Sequence, residues 1–149
     1  MNTQTRKLMF SSECQEWATP KELVDQLNKE FNFTLDLCAS KGNAVCKRFY
    51  SIQDNCLIQS PKGEKIFCNP PYGRQIKLFV KKCFELSKYN LVVLLIPART
   101  DTSYFHDYIY NKAEIRFIRG RLKFVKPNST IPKNKFTPAP FPSMLAIYK

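Results

Sequence analysis

Residues 91–96, Leu-Val-Val-Leu-Leu-Ile, form an unbroken apolar run between Asn90 and Pro97. A strand with one wet face alternates apolar and polar side chains, whereas a run like this needs cover on both faces. It is also too short to cross a bilayer. It therefore predicts a central parallel strand in a sheet with helices on each side. The flanking patterns fit that layering. Thr19, Pro20 and Glu22 read as the cap, first turn and capping-box acid of a helix over 20–30, with Leu23, Val24, Leu27 and Phe31 inward. Residues 33–38 alternate as a strand carrying Asp36 near its end, and the small residues 39–43 then turn into a short helical stretch over 43–48. A short strand at 65–68 leads to a helix over 75–88, where Ile76, Phe79, Val80 and Cys83 share one face and Lys77, Lys81, Lys82 and Lys88 the other. A short helix at 103–110 and strands at 114–119 and 143–148 complete the order. That succession describes a three-layer α/β domain with a mostly parallel sheet, its last two strands pairing antiparallel.

Strand exits in such a sheet meet at one crevice, so the residues just after 36, 68 and 96 are candidates for a shared site. After 68 stands Asn69-Pro70-Pro71-Tyr72. An exocyclic amine on a base is a poor nucleophile because its lone pair is delocalised into the ring, and a catalyst needs acceptors for both N–H bonds. Asn69 offers a side-chain carbonyl and Pro70 a backbone one, which the Pro71 ring restrains toward extended geometry. Tyr72 adds a flat face for a base swung out of a helix. Asn-Pro-Pro alone reads better as a strand exit with a proline brake; the tyrosine added after an apolar strand turns the balance to the amine site. Asp36 is costly in a core strand unless it meets a donor. The strand, small-residue turn and helix around it can seat a nucleotide-like cofactor, or be an ordinary connection, since the spaced glycines of a dinucleotide fingerprint are absent. Trp17 is either a plug at a helix entrance or a ligand-lining ring. Asp54 either caps a turn or contacts an adenine ring, and Arg99 either pairs with Asp101 or meets a phosphate.

Charge bears on the partner. Lys and Arg number 24 against 12 Asp and Glu, a net charge of +12, and such an excess draws polyanions before any specific contact forms. It is concentrated late: residues 115–149 hold Arg116, Arg119, Arg121, Lys123, Lys126, Lys133, Lys135 and Lys149 and no acid. Nucleic acid is the expected partner, although positive charge alone would also suit an anionic membrane or merely solubility. The six cysteines lack any Cys-x-x-Cys pair and His106 is the only histidine, so no metal site is expected and the thiols read as small core residues in a reducing compartment. No signal peptide or membrane-length apolar run is seen, and a soluble, intracellular protein is expected, with no membrane association. Residues 1–14 are polar and aperiodic, a flexible N-terminal arm before a single domain at 15–149.

Several segments, taken in order, resemble one family: Trp17-Ala18-Thr19-Pro20, Leu35-Asp36-Leu37-Cys38-Ala39-Ser40 with Asn43, Cys68-Asn69-Pro70-Pro71-Tyr72-Gly73, Leu94-Leu95-Ile96-Pro97-Ala98-Arg99-Thr100-Asp101, and Gly120-Arg121-Leu122-Lys123-Phe124. They resemble the phage-type DNA N6-adenine methyltransferase (Dam) family, from Glu16 almost to the C-terminus. The resemblance implies a compact, reduced class I (Rossmann-like) methyltransferase fold, S-adenosylmethionine as methyl donor, DNA as partner, transfer to adenine N6, and a phage or prophage protein in the cytoplasm of a bacterial host. It implies that Asn69 and the Pro70 carbonyl bind the amine, with Pro71 behind them, and that Tyr72 stacks on adenine. Trp17, Thr19, Pro20, Asp36, Cys38, Ala39 and Asp54 would seat the cofactor. Arg99, Arg119, Arg121, Lys123, Lys133 and Lys135 are the expected DNA contacts. The stretch 39–64 is too short for two helix-and-strand units, so a middle strand is expected to be short or missing, and no separate target-recognition domain fits. Alternatives are a protein glutamine methyltransferase, since a carboxamide is another planar amine, or a non-catalytic DNA-binding protein retaining the fold. The basic tail favours DNA.

Overall fold

The computed structural model describes residues 17–126 and 136–149; the expected arm at 1–14 and two expected DNA contacts, Lys133 and Lys135, lie outside the described residues. Strand β3 (Leu91–Pro97) sits in the middle of a sheet that also contains β1 (Leu35–Asp36), β2 (Lys65–Cys68), β4 (Glu114–Phe117) and β5 (Ser143–Tyr148). Val92, Leu94 and Ile96 point into a core shared with helices α2 (Ile76–Leu86) and α3 (Ser103–Tyr108). Val93 and Leu95 point the other way, into a core with Leu27 and Phe31 of helix α1 (Lys21–Phe31). The apolar run is thus covered on both faces, as its composition requires.

Strand direction departs from expectation. The order is β1-β2-β3-β5-β4, with β1, β2 and β3 parallel and β5 antiparallel to both β3 and β4. The sheet is mixed rather than mostly parallel, and β3 has a parallel neighbour on one side only. Connection chemistry accounts for this. Parallel neighbours need a long crossover, which α2 provides between β2 and β3. No helix occurs among the described residues between β4 and β5, and the returning chain slots β5 in reversed, beside β3. The β4–β5 pair is antiparallel, as expected.

The half before the tetrad is as abbreviated as its length implies. In place of a full outer strand, Phe49 forms a single parallel bridge to Asp36. The Asp36 amide donates to the Arg48 carbonyl at 3.0 Å, and the Tyr50 amide donates back to the Asp36 carbonyl at 3.0 Å. The helical stretch expected over 43–48 is absent. Asn43 uses its side-chain oxygen to accept from the Ser40 amide at 2.7 Å, and such a local bond competes with helix propagation. The strand expected over 33–38 is regular only at 35–36, although Thr34 and Leu37 each still donate one backbone bond to β2. Thr19 does not cap α1: Pro20 holds the cap position, without a side-chain hydrogen bond.

Asn90 fastens this frame at the far end of β3. It is 7% exposed; its amide nitrogen donates to the Pro61 and Leu86 carbonyls at 2.9 and 2.8 Å, and its oxygen accepts from the Glu64 amide at 2.9 Å. Asn90→Ala would leave those backbone groups unpaired, and a loss of about 3 kcal/mol in unfolding free energy is expected from urea titration.

Candidate active site

Asn69 is where the structure divides. β2 ends at Cys68, and the next residues leave the sheet through buried Pro70 and Pro71. On one side of Asn69 lies a cavity of ≈ 330 Å³, lined by Trp17, Asn69, Pro70, Tyr72, Phe124 and residues 137–141. On the other lies a narrow crevice lined by Trp17, Thr19, Asp36, Cys38, Asn43, Phe67, Asn69 and Pro71. Trp17, 40% exposed, lines both and also packs edge-on against Phe136 at 6.0 Å.

The carboxamide of Asn69 is held at both ends. Its Nδ2 donates to Thr19 Oγ1 at 3.2 Å, and its Oδ1 accepts from the Tyr72 hydroxyl at 2.6 Å. An amide oxygen has two lone pairs, and the phenol uses one. The same hydroxyl lies 3.3 Å from the Leu95 carbonyl in β3, so the central strand braces the tetrad. Burial pushes the Tyr72 phenol above its ordinary value, so it is a neutral donor.

The cavity is aromatic. The Tyr72 ring meets Phe124 and Phe141 edge-on, at centroid distances of 6.1 and 5.4 Å. Backbone bonds bind its walls together: Ala98 donates to the Pro142 carbonyl, and Ala139 to the Leu122 carbonyl, both at 2.8 Å. Ala18 and Val125 exchange two more, at 2.5 and 3.0 Å, which straps the Trp17 segment to the wall. Phe141 was missed by sequence reading. Its local signal is an aromatic residue between Pro140 and Pro142 in a proline-rich connection. Arg99 lies over Phe141 at 5.9 Å rather than serving only its own loop. Arg119, Arg121 and Lys123 are exposed, with Arg121 Nη1 donating to the Ala139 carbonyl at 3.5 Å.

Asp36 dominates the crevice. It is 2% exposed, and its two oxygens accept from the Cys38 amide at 3.3 Å and the Val45 amide at 3.0 Å. Desolvation outweighs these bonds and raises its carboxyl from 3.8 to about 8. A cation placed beside it would reverse that shift. Cys38, Cys56 and Cys68 meet next to it, with Sγ–Sγ distances of 3.4 and 3.9 Å from Cys38. Pro20, Ala39 and Asp54 stand outside the crevice lining, and the Asp54 carboxylate holds its own turn by accepting from the Ser51 amide at 2.8 Å. The lining of this crevice, with room of only ≈ 20 Å³, offers a buried carboxylate, a carboxamide, a hydroxyl and an indole, groups able to hold a polar ligand with a positive charge. Among the described residues, no three His, Cys, Asp or Glu side chains are placed to hold a metal ion, and no helix is long and apolar enough to cross a membrane.

Residues 7–149 match the family described as DNA N-6-adenine-methyltransferase (Dam). The chain is also similar to a curated DNA N-6-adenine-methyltransferase of Escherichia phage T1, 38% identical over 109 residues. That alignment covers 71% of this chain and 45% of the relative, so the chain spans about half the length of the curated protein it matches.

The Asp36 shift has a thermodynamic consequence. Between its ordinary value of 3.8 and about 8, the folded protein keeps a proton that the unfolded chain has released. This contribution to stability is full below that window and is lost as pH rises through it. Melting temperatures taken from pH 5 to 9 should fall more steeply with pH in the wild type than in Asp36→Asn; equal slopes would mean that Asp36 titrates normally.

Proposed function

Because the chain belongs to the DNA N-6-adenine-methyltransferase (Dam) family, we propose that it transfers a methyl group to the N6 amine of adenine in DNA. The carrying observation is the position of Asn69 on the boundary between an aromatic cavity of ≈ 330 Å³ and a crevice with a buried carboxylate. A base and a methyl donor placed in those two compartments would meet at a carbonyl acceptor.

Adenine in a duplex is stacked, so the target would be swung out into the cavity. There the Asn69 carbonyl and the Pro70 backbone carbonyl would accept the two N–H bonds of the amine, drawing its lone pair out of the ring and toward the crevice. Pro71 limits Pro70 to extended geometry. Tyr72, Phe124 and Phe141 present an aromatic wall, which supports stacking contact with the base. Trp17, Thr19, Asp36 and Cys38 would hold the donor, with Pro20, Ala39 and Asp54 as outlying contacts. S-adenosylmethionine bound there would supply a methyl activated by a sulfonium. Asp36, costly while unpaired, would gain a cationic partner. The enzyme's part is orientation and electrostatics, with no covalent enzyme intermediate.

Arg99, Arg119, Arg121 and Lys123 would take the phosphates, with Lys133 and Lys135 from outside the described residues, and sequence preference would rest on the 119–135 region. Kinship with a phage T1 protein supports a phage or prophage origin and the cytoplasm of a bacterial host as the place of work.

Labelled methyl transfer to DNA followed by nucleoside analysis tests the assignment, with N6-methyladenine the expected product and methylated glutamine or no transfer the contrary results. Asn69→Ala should lower kcat by roughly 10²–10³-fold, the size of a lost preorganised partner at a reacting centre. Lys123→Ala should weaken DNA binding regardless of sequence and reduce the salt slope of log K by about 1.

A further inference from the structure

One of the two groups holding the Asn69 carboxamide comes from outside the tetrad. Thr19 Oγ1 accepts from Asn69 Nδ2 across a separation of 50 residues, while the Tyr72 hydroxyl donates to the oxygen at the other end. Thr19 is itself well anchored. Its neighbour Ala18 shares two backbone bonds with Val125, the Asn43 side chain donates to the Trp17 carbonyl at 3.0 Å, and helix α1 starts immediately after Pro20. Its hydroxyl is not spent on capping that helix.

We propose that Thr19 is a positioning residue for Asn69, anchoring the amide nitrogen so that the amide oxygen stays turned toward the cavity. This deepens the proposed function and rests on its reading of Asn69 as the acceptor of a substrate amine. The two ends of a carboxamide have nearly the same shape, so packing does not choose between them, and hydrogen bonds must. Turned around, Asn69 would set its own NH₂ against the incoming amine, donor against donor. The tetrad supplies a hold only on the oxygen side, through Tyr72. Thr19 supplies the hold on the nitrogen side. Because Thr19 also lines the crevice, one side chain touches both the proposed donor compartment and the acceptor of the other substrate.

The test uses the full chain as wild type, Thr19→Val, which keeps the shape and removes the hydroxyl, and Thr19→Ser, which restores the hydroxyl. Methyl transfer to DNA gives kcat and KM, and calorimetric titration with S-adenosylhomocysteine gives crevice affinity. The side-chain ¹⁵N–H₂ signals of Asn69, assigned by their disappearance in Asn69→Ala, report the hydrogen bond directly. Thr19→Val is expected to lower kcat on the order of tenfold, the scale of a modest misplacement at a reacting centre. Because Thr19 also lines the crevice, affinity for S-adenosylhomocysteine is expected to fall by less than kcat does; KM for DNA stays unchanged, the Asn69 amide signals shift, and Thr19→Ser restores both rate and signals. Unchanged kcat in Thr19→Val, or a weakening of crevice affinity that accounts for the whole loss, would overturn the positioning role. If the wild type transfers no methyl to DNA, the proposed function fails and the amide signals decide by themselves. Signals indifferent to valine refute the anchoring, whereas signals moved by valine and restored by serine uphold it.

Discussion

The burial of β3 on both faces is the constraint from which the rest of the structure follows. Its side chains divide between two cores, one roofed by α2 and α3 and one by α1, so the strand cannot move without opening both. Backbone pairing fixes its neighbours: Cys68 stands opposite Leu94, and Ser143 opposite Pro97. These registers bring the exit of β2 and the entry to β5 to the same edge of the sheet. The Leu95 carbonyl, within the same strand, lies in reach of the Tyr72 hydroxyl. A buried strand is rigid because every displacement costs packing on two sides, and that rigidity is passed to Asn69 through one tyrosine.

Against this apolar frame, Asp36 is an exception that burial alone does not explain. A carboxyl raised to about 8 is poorly solvated, and among the described residues it meets two backbone amides and no cationic side chain. A fold selected for stability alone would place an apolar residue here. The abbreviated segment 37–50 closes over this carboxyl with hydrogen bonds from Val45 and Cys38, taking the place of a longer helix-and-strand unit.

On the opposite side of Asn69, the cavity depends on segments with no regular structure. Two irregular stretches, 118–126 and 136–142, are tied to each other and to the end of β3 by single backbone bonds, and to the Trp17 segment by two. Proline on either side of Phe141 limits the conformations from which that ring is recruited. Arg119, Arg121 and Lys123 stay exposed while Phe124 and Phe141 line the cavity, which separates a cationic rim from an aromatic interior.

Local pattern determined much of this. The 3.6-residue period around Phe79 and Cys83, the alternation after Phe33, the uniform run at 91–96 and the apolar stretch before Lys149 each specify an element, because helix and strand geometry act over a few residues. The ordered motifs around Asn69 likewise pointed to the family, and the late concentration of lysine and arginine to a polyanion. What tertiary structure decided is how distant segments meet. Whether β5 runs parallel or reversed depends on a connection without periodicity. Thr19 serves Asn69 rather than its own helix because folding brings a stronger need within hydrogen-bonding distance. The environment of Asp36 and the recruitment of Phe141 have the same origin: desolvation and ring contact arise from packing between residues far apart in the chain, and neighbouring sequence carries no record of it.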